Sequence, residues 1–357
     1  MQRIPNYGSF LQSFALKKLM EQRGHTVTYV DIERKKGHCP PKKSKLQQKL
    51  EKLKYVDKYF FRRMKDSEKN KQMSVMFREV QNSYLGLTSE NMASDGCDAV
   101  IIGSDEIFNC SPDSFWGITG QRFGDIPGVP VVMSYAASCG YTGLDDMSTG
   151  DKAVVKSALR KLSAVSVRDE NTRALVKKLT GVEPEQNLDP VLIYGFEDEI
   201  ALGEKQGVPS YPYMVVYAYH NRIDSKKEIN AIINYAKKHN LKTIAIGGSL
   251  PWCDEFAVIS PFQVLAYFKH AECIVTDTFH GTVMAAKLNR PFGAFVRDSN
   301  KNKLDDLLNR LGIDSHKVSN PDMLERTLDI KYDYASFNAF VESERDHALG
   351  YFEKAGL

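Results

Sequence analysis

The sequence predicts an α/β protein of two doubly wound domains facing one another across a cleft. Three observations predict it. Strand-like and helix-like runs alternate through both halves, the pattern of parallel sheets wrapped by crossover helices. The 357 residues exceed the roughly 250 to 300 that one hydrophobic core usually holds. A stretch at residues 194–211, rich in Gly, Pro and acids and poor in periodicity, separates the halves. The expected domains are 1–195, Rossmann-like with a basic helical insertion at about 34–87, and 196–357, also Rossmann-like and carrying residues 276–282.

The elements follow in order. Phe10, Leu11, Phe14, Leu16, Leu19 and Met20 recur at helical spacing over residues 9–23, with Asn6 as cap and Gly24 as stop. Residues 26–32 alternate like a strand. A helix followed by a strand implies a further strand leading into Asn6, yet only residues 1–5 stand before it. Either that strand is absent or the true start lies upstream. Leu46, Leu50, Leu53, Val56, Phe60 and Phe61, set among lysines, predict one or two amphipathic helices, and residues 71–87 continue in kind. Buried strands are expected at 98–102, 129–135 and 164–167, with a helix at 151–162.

The second half alternates more regularly. Strands are expected at 213–219, 242–247, 273–275 and 291–295. Helices are expected at 225–239, 261–270, from Thr278 onward, and at 302–310. In open parallel sheets the ligand crevice lies beyond the carboxyl ends of the strands, so the loops after strands are where chemistry is sought.

Composition excludes several classes. Hydrophobic residues at 42% and charged residues at 26% mark an ordinary folded chain. No run approaches the ~18 apolar residues of a membrane span, and no apolar signal core opens the chain, so a cytoplasmic location is expected. Cys39, Cys97, Cys110, Cys139, Cys253 and Cys273 form no C-x-x-C pair and read as reduced thiols, without zinc or disulfide framework. Residues 34–71 hold fifteen Lys or Arg against four acids, a balance of +11 within a net charge of +3. Such a block reads first as a solvated helical face; the sharper reading is peripheral contact with an anionic membrane face or a lipid diphosphate.

The run Thr276-Asp277-Thr278-Phe279-His280-Gly281-Thr282 follows a strand and opens a helix. Free N–H groups and the helix dipole there suit a phosphate or carboxylate, and Gly281 would let the backbone approach a ligand. His280 exchanges a proton near neutral pH and is the strongest candidate for acid or base. A lone histidine is more often packed core, and Asp277 and Thr278 could merely cap; the place directly after a strand favours the chemical reading. Gly103, Ser104, Asp105 and Glu106 form a second such loop, able to meet sugar hydroxyls or simply to cap a helix. Arg168 ends the strand at 164–167: its planar fork suits a carboxylate or phosphate, or else a surface pair with Asp169 or Glu170. Asn6 and Gly8 open the first helix, and Ser138 ends another strand. Asp189 reads as a turn residue. There is no G-x-G-x-x-G, Walker loop, H-x-x-x-H or G-x-S-x-G, which removes support for dehydrogenase, nucleotide triphosphatase, zinc hydrolase and α/β-hydrolase readings. No cofactor, metal or nucleic-acid partner is expected.

Read in order, Asn6-Tyr7-Gly8 with Leu11-Gln12 and Ala15-Leu16, the run from Asp98 to Asp105, Ser134-Tyr135-Ala136-Ala137-Ser138, Ser166-Val167-Arg168-Asp169-Glu170, Leu188-Asp189-Pro190 and the Thr276 to Thr282 run resemble the polysaccharide pyruvyl transferase family, over about residues 6–311. The resemblance implies a fold similar to the two-domain GT-B glycosyltransferases. It implies transfer of a pyruvyl group from phosphoenolpyruvate to a sugar of a cell-surface polysaccharide or exopolysaccharide precursor, as a cyclic ketal, the acceptor being lipid-linked, on undecaprenyl diphosphate, or on a nucleotide. His280 and Arg168 match the positions that engage the donor and are the catalytic candidates. Asn6, Gly8, Ser104, Asp105, Ser138, Asp277, Thr278, Gly281 and Thr282 are the candidates for binding. Thr278 stands where serine is commoner and Lys303 near a place where arginine is frequent. Rival readings are a nucleotide-sugar glycosyltransferase and a non-catalytic polysaccharide-binding protein.

Overall fold

The structure is a computed structural model and describes residues 2–35, 60–87, 96–220, 222–297 and 300–357. Helix α1 spans Tyr7–Gln22, and the Asn6 side chain caps it by accepting the Ser9 N–H. Every residue from Tyr7 to Ala15 is buried, so the first half of α1 is enclosed all round, with Phe10, Leu11 and Phe14 as its large apolar side chains and Leu19 buried farther on. Burying side chains of this size contributes about 1.5–3 kcal/mol each. Helix α2 (Phe60–Val80) runs into a π-helical turn at Gln81–Leu85. The amphipathic positions Leu46, Leu50, Leu53 and Val56 lie outside the described residues, as does most of the basic block.

The first sheet is parallel throughout. Its strands β1 (Ala99–Asp105), β2 (Val131–Ala137), β3 (Ser166–Val167) and β4 (Glu185–Gln186) lie side by side in that order. Helix α3 (Thr149–Leu159) precedes β3 and α4 (Glu170–Thr180) follows it, with Asp169 capping α4. Short α5 (Pro190–Ile193) and α6 (Glu197–Gln206) lead into the second half. Residues 26–32 are extended but belong to no sheet, contrary to the alternation they show. A strand is made by backbone partners, and the neighbouring edge of β1 bonds none of these residues.

The second sheet, also parallel, is built from β5 (Tyr213–Tyr217), β6 (Lys242–Ile246), β7 (Glu255–Phe256), β8 (Cys273–Thr276), β9 (Phe292–Phe295) and β10 (Lys317–Val318). Helices α7 (Lys226–Lys238), α8 (Pro261–His270), α9 (Phe279–Lys287) and α10 (Lys301–Arg310) connect them. The order β10-β9-β8-β5-β6-β7 starts in the middle and grows outward both ways, the Rossmann order. It reverses between β5 and β8, whose ends Tyr217 and Thr276 pair. Every residue of β5 is buried, as a central parallel strand covered on both faces requires.

After α11 (Leu324–Leu328), helix α12 (Tyr334–Lys354) crosses back to the first sheet. Its Tyr351 hydroxyl donates to the Ser134 carbonyl at 2.8 Å, and Phe352 packs on Tyr135 with ring centroids 4.7 Å apart. One apolar core reaches from Phe10 on α1 through Val191 and Phe196 to Leu265, Val283 and Phe352. No helix among the described residues is long and apolar enough to cross a membrane.

Candidate active site

The reversal between β5 and β8 puts the loop after β8 at the crevice where doubly wound sheets hold ligands. Thr276 anchors that loop, its hydroxyl donating to the Tyr217 carbonyl at 2.8 Å. Thr278 caps α9 by accepting the Gly281 N–H at 2.9 Å, and the Thr282 hydroxyl donates back to the Thr278 carbonyl. Asp277 turns away to Arg297, whose Nε lies 3.1 Å from its carboxylate, and Arg222 approaches to 4.0 Å. Burial lifts the Asp277 pKa above the ordinary carboxylate value against the pull of both arginines. Asp277, Thr278 and Thr282 therefore shape the loop. Gly281 does so too: a Cβ there would stand 2.1 Å from the Thr276 hydroxyl, so the glycine makes room for the loop's own side chains.

His280 projects from the first turn of α9 toward the first half of the chain and is 5% exposed. A Cβ on Gly8 would stand 2.2 Å from its Cγ and Nδ1, so the start of α1 forms one wall. On the other side Nε2 is 3.5 Å from the Asp189 carboxylate, longer than a hydrogen bond. Asp189 is more than a turn residue. One of its oxygens accepts the Val191 N–H and caps α5; the other accepts Arg168 Nη1 at 2.7 Å and the Ser104 hydroxyl at 3.3 Å.

Arg168 makes none of the surface pairs open to it by sequence. It is 4% exposed, stacks over Phe279 with its guanidinium carbon 3.8 Å from the ring centre, and has Asp105 3.5 Å from Nη2. Its Nε and Nη2 have no hydrogen-bond partner among the described residues, and neither does His280 Nε2. Burial would raise the pKa of Asp189, but His280 and Arg168 outweigh it and hold the carboxyl well below the usual range. Asp105 is lowered in the same manner, burial again opposed by His280, Arg168 and Lys303. The two carboxylates are thus ionised beside one arginine.

Gly103, Ser104 and Asp105 are the end of β1 and not a loop after it. Asp105 has φ 59° and, beside it on β2, Ala136 has φ 45°, a strained pair of backbones of the kind found at functional sites. Ser104 is fully buried: its N–H donates to the Gln12 side chain and its single hydroxyl hydrogen is shared between the Ala136 carbonyl at 3.0 Å and the longer contact to Asp189. Ser9 donates to Asp105 at 3.2 Å, and Asn6 donates to the Tyr219 hydroxyl at 2.8 Å. Ser138 supports the turn after β2, accepting the Gly140 N–H. His280, Arg168, Asp105, Ser104 and Gly8 are thus gathered into one cluster, with Asn6 at its rim. Thr278, Asp277, Gly281, Thr282 and Ser138 stand behind it.

Sequence reasoning missed Asp189 as the centre of the cluster, although an Asp-Pro with two residues between it and β4 was the available signal. Glu106 and Lys303, each singled out by sequence, pair at 2.6 Å at the cluster's edge across 197 residues of sequence, a contact only the fold reveals.

Fold and site together define a two-sheet α/β protein whose buried Arg-His-carboxylate cluster sits between the two halves, at the Rossmann switch point of the second sheet. The chain belongs to the polysaccharide pyruvyl transferase family, whose model matches residues 6–299. No curated protein matches it. Among solved structures, Arabidopsis thaliana UGT89C1 complexed with UDP-L-rhamnose is 10% identical with a TM-score of 0.37, over 65% of this chain and 71% of that one. The same protein complexed with UDP gives 10% and 0.36 over 61% and 62%. Complexed with quercetin it gives 9% and 0.31 over 78% and 65%. The chain spans less than two thirds of the last two, and likenesses with TM-scores this low carry no argument.

Proposed function

We propose that the protein transfers the pyruvyl group of phosphoenolpyruvate to two hydroxyls of a polysaccharide-precursor sugar, forming a cyclic ketal and releasing phosphate. The observation that carries this reading is the convergence of Arg168 and His280, each with buried nitrogens that make no hydrogen bond among the described residues, beside the start of α9. Arg168 Nε and Nη2 and the first N–H groups of α9 offer themselves to the donor's carboxylate and phosphate. His280 gives a proton to the donor methylene carbon, leaving C2 electron-poor. A sugar hydroxyl bonds to C2 and sheds its proton, which returns to His280. A neighbouring hydroxyl then displaces phosphate, whose oxygen takes the bonding pair from C2 while the second hydroxyl proton passes to solvent. Each fixed donor is worth most where negative charge gathers on the departing phosphate.

The acceptor is a hexose or N-acetylhexosamine on a lipid diphosphate, in keeping with the net charge of +11 over residues 34–71. Calorimetric titration of phosphoenolpyruvate into wild type, Arg168→Ala and His280→Ala tests the donor. Binding that Arg168→Ala abolishes, with His280→Ala still binding but turning over at least about a hundredfold more slowly, is expected. No binding to wild type, with or without candidate acceptors, overturns the reading in favour of a nucleotide-sugar donor.

A further inference from the structure

Tyr219 stands two residues beyond the carboxyl end of β5, the strand at which the second sheet reverses, and is 37% exposed. The fold holds it at both ends. Its carbonyl accepts the Arg222 N–H at 3.2 Å. The loop after β6 rests directly on its peptide: a Cβ on Gly248 would stand 2.5 Å from the His220 nitrogen and 2.9 Å from the Tyr219 carbonyl carbon. At the other end the Tyr219 hydroxyl accepts the Asn6 amide at 2.8 Å, and the same Asn6 side chain is fixed by capping α1. The hydroxyl is the sheltered end, since burial pushes its pKa up to about 12 against the Asn6 bond. What the crevice sees is therefore the ring, pinned between the two halves.

Three carboxylates surround this ring: Asp105, Asp277 and Glu106 all act on Tyr219 by their charge. Glu106 already holds Lys303 at 2.6 Å, and Asp277 holds Arg297 at 3.1 Å. Asp277 is sealed from solvent, whereas Asp105 and Glu106 keep part of their surface open. Negative charge here repels an anion, so the donor's charged groups belong on the far side of Asp105, at Arg168 Nε and Nη2. A neutral polyol fits instead. Each of its hydroxyls can donate to a carboxylate oxygen, and the C–H face of a closed sugar ring is apolar and matches the face of an aromatic ring.

We infer that Tyr219 is the platform for the acceptor sugar: a pyranose lies with its C–H face on the ring and turns hydroxyls toward Asp105 and Glu106. Asp105 is 3.5 Å from Arg168, so a hydroxyl that it holds lies beside the group proposed to hold the donor. A ring fixed at both ends loses little freedom when a ligand stacks on it, which favours binding by one side chain of modest area. Stacking requires a closed ring, so a pyranoside is preferred to an open-chain polyol with the same hydroxyls. The word acceptor rests on the transferase reading; the binding of a pyranose at Tyr219 does not.

The probes are methyl β-D-glucopyranoside, methyl β-D-galactopyranoside and methyl N-acetyl-β-D-glucosaminide, with sorbitol as the open-chain control. Each is titrated into the full 357-residue chain with and without phosphoenolpyruvate and followed by saturation-transfer NMR. At least one glycoside should bind saturably and sorbitol should not. Tyr219→Ala should weaken that glycoside roughly tenfold, and Tyr219→Phe, which keeps the ring, by no more than about threefold. Phosphoenolpyruvate affinity should stay as in wild type in both variants, a split that general damage to the fold would not give. Overturning results are no saturable binding by any of the glycosides, equal binding of sorbitol, wild-type affinity in Tyr219→Ala, or Tyr219→Phe as weak as Tyr219→Ala. Failure of the transferase reading looks different: a glycoside held through Tyr219 while phosphoenolpyruvate finds no site upholds the platform and removes the donor.

Discussion

Gly8 and His280 touch across the two halves of the protein: the glycine Cα faces the imidazole so closely that a methyl group would overlap Cγ and Nδ1 at 2.2 Å. The contact explains a glycine in the first turn of a helix, where it costs roughly 0.5–1 kcal/mol relative to alanine. Gly8→Ala should therefore keep the fold and its circular dichroism while pushing His280 aside. Turnover is expected to fall by one to two orders of magnitude, about 1.4–2.8 kcal/mol in barrier height. Unchanged turnover with retained donor binding would show that the imidazole position is irrelevant to the chemistry.

Asp189 and Arg168 are a buried pair, with side chains 0% and 3% exposed. Removing one partner strands the other, so Asp189→Ala should destabilise by about 3–5 kcal/mol in urea melts, and Asp189→Asn, which keeps a hydrogen-bond acceptor, by less. The same carboxyl sets an acid limit. Its folded pKa lies below the unfolded value near 3.8, so its stabilisation is fully present above that value and is lost as pH falls further. Asp189→Asn should flatten the fall in stability below pH ~4.

Asp306 on α10 behaves oppositely. Burial, then the charge of Asp169, raises its pKa to about 6 although it accepts the Glu170 N–H at the start of α4. The folded state holds the proton more tightly than the unfolded chain, so stability falls as pH rises from about 4 to 6. Solvent screening at this half-buried site brings the swing to about 1 kcal/mol. Denaturant melts at pH 4.5 and 7 should show it in wild type and lose it in Asp306→Asn.

Lys303 and Glu106 pair at the cluster's edge and stay partly exposed, 20% and 24%. Stability should change by less than about 1 kcal/mol in Lys303→Ala. Donor affinity should fall instead, by roughly tenfold, because Lys303 is a cation near Asp105 facing the proposed anion. Raising the salt concentration should shrink the difference between Lys303→Ala and wild type. A loss of stability without loss of donor affinity would assign the lysine to structure alone.

The alternation of helix and strand was legible because burial on both faces leaves whole strands apolar, as in Tyr213–Tyr217 and Cys273–Thr276. Helix α8 begins and ends where Ser260, Pro261 and His270 signal it. Residues 26–32 misled because alternation reports two faces and says nothing about a neighbour. Arg168 and His280 were legible from their place after strands. Their environment was not: the carboxylates that surround Arg168 come from β1 and from the start of α5, and only the fold brings them together. For the threonines of the 276–282 run the structure adds the internal bonds that sequence could not single out, Thr278 capping α9, because a hydroxyl that caps a helix and one that binds a phosphate occupy the same sequence positions.

Helix α12 supplies Tyr351 and Phe352 to the flank of β2, more than two hundred residues earlier in the chain. During translation the first sheet therefore emerges with Tyr135 uncovered, and it stays so until α12 has left the ribosome. Its closure is a late, long-range event with a high loop-closure cost. Removing α12 should therefore uncover Tyr135 and loosen the sheet that carries Asp105.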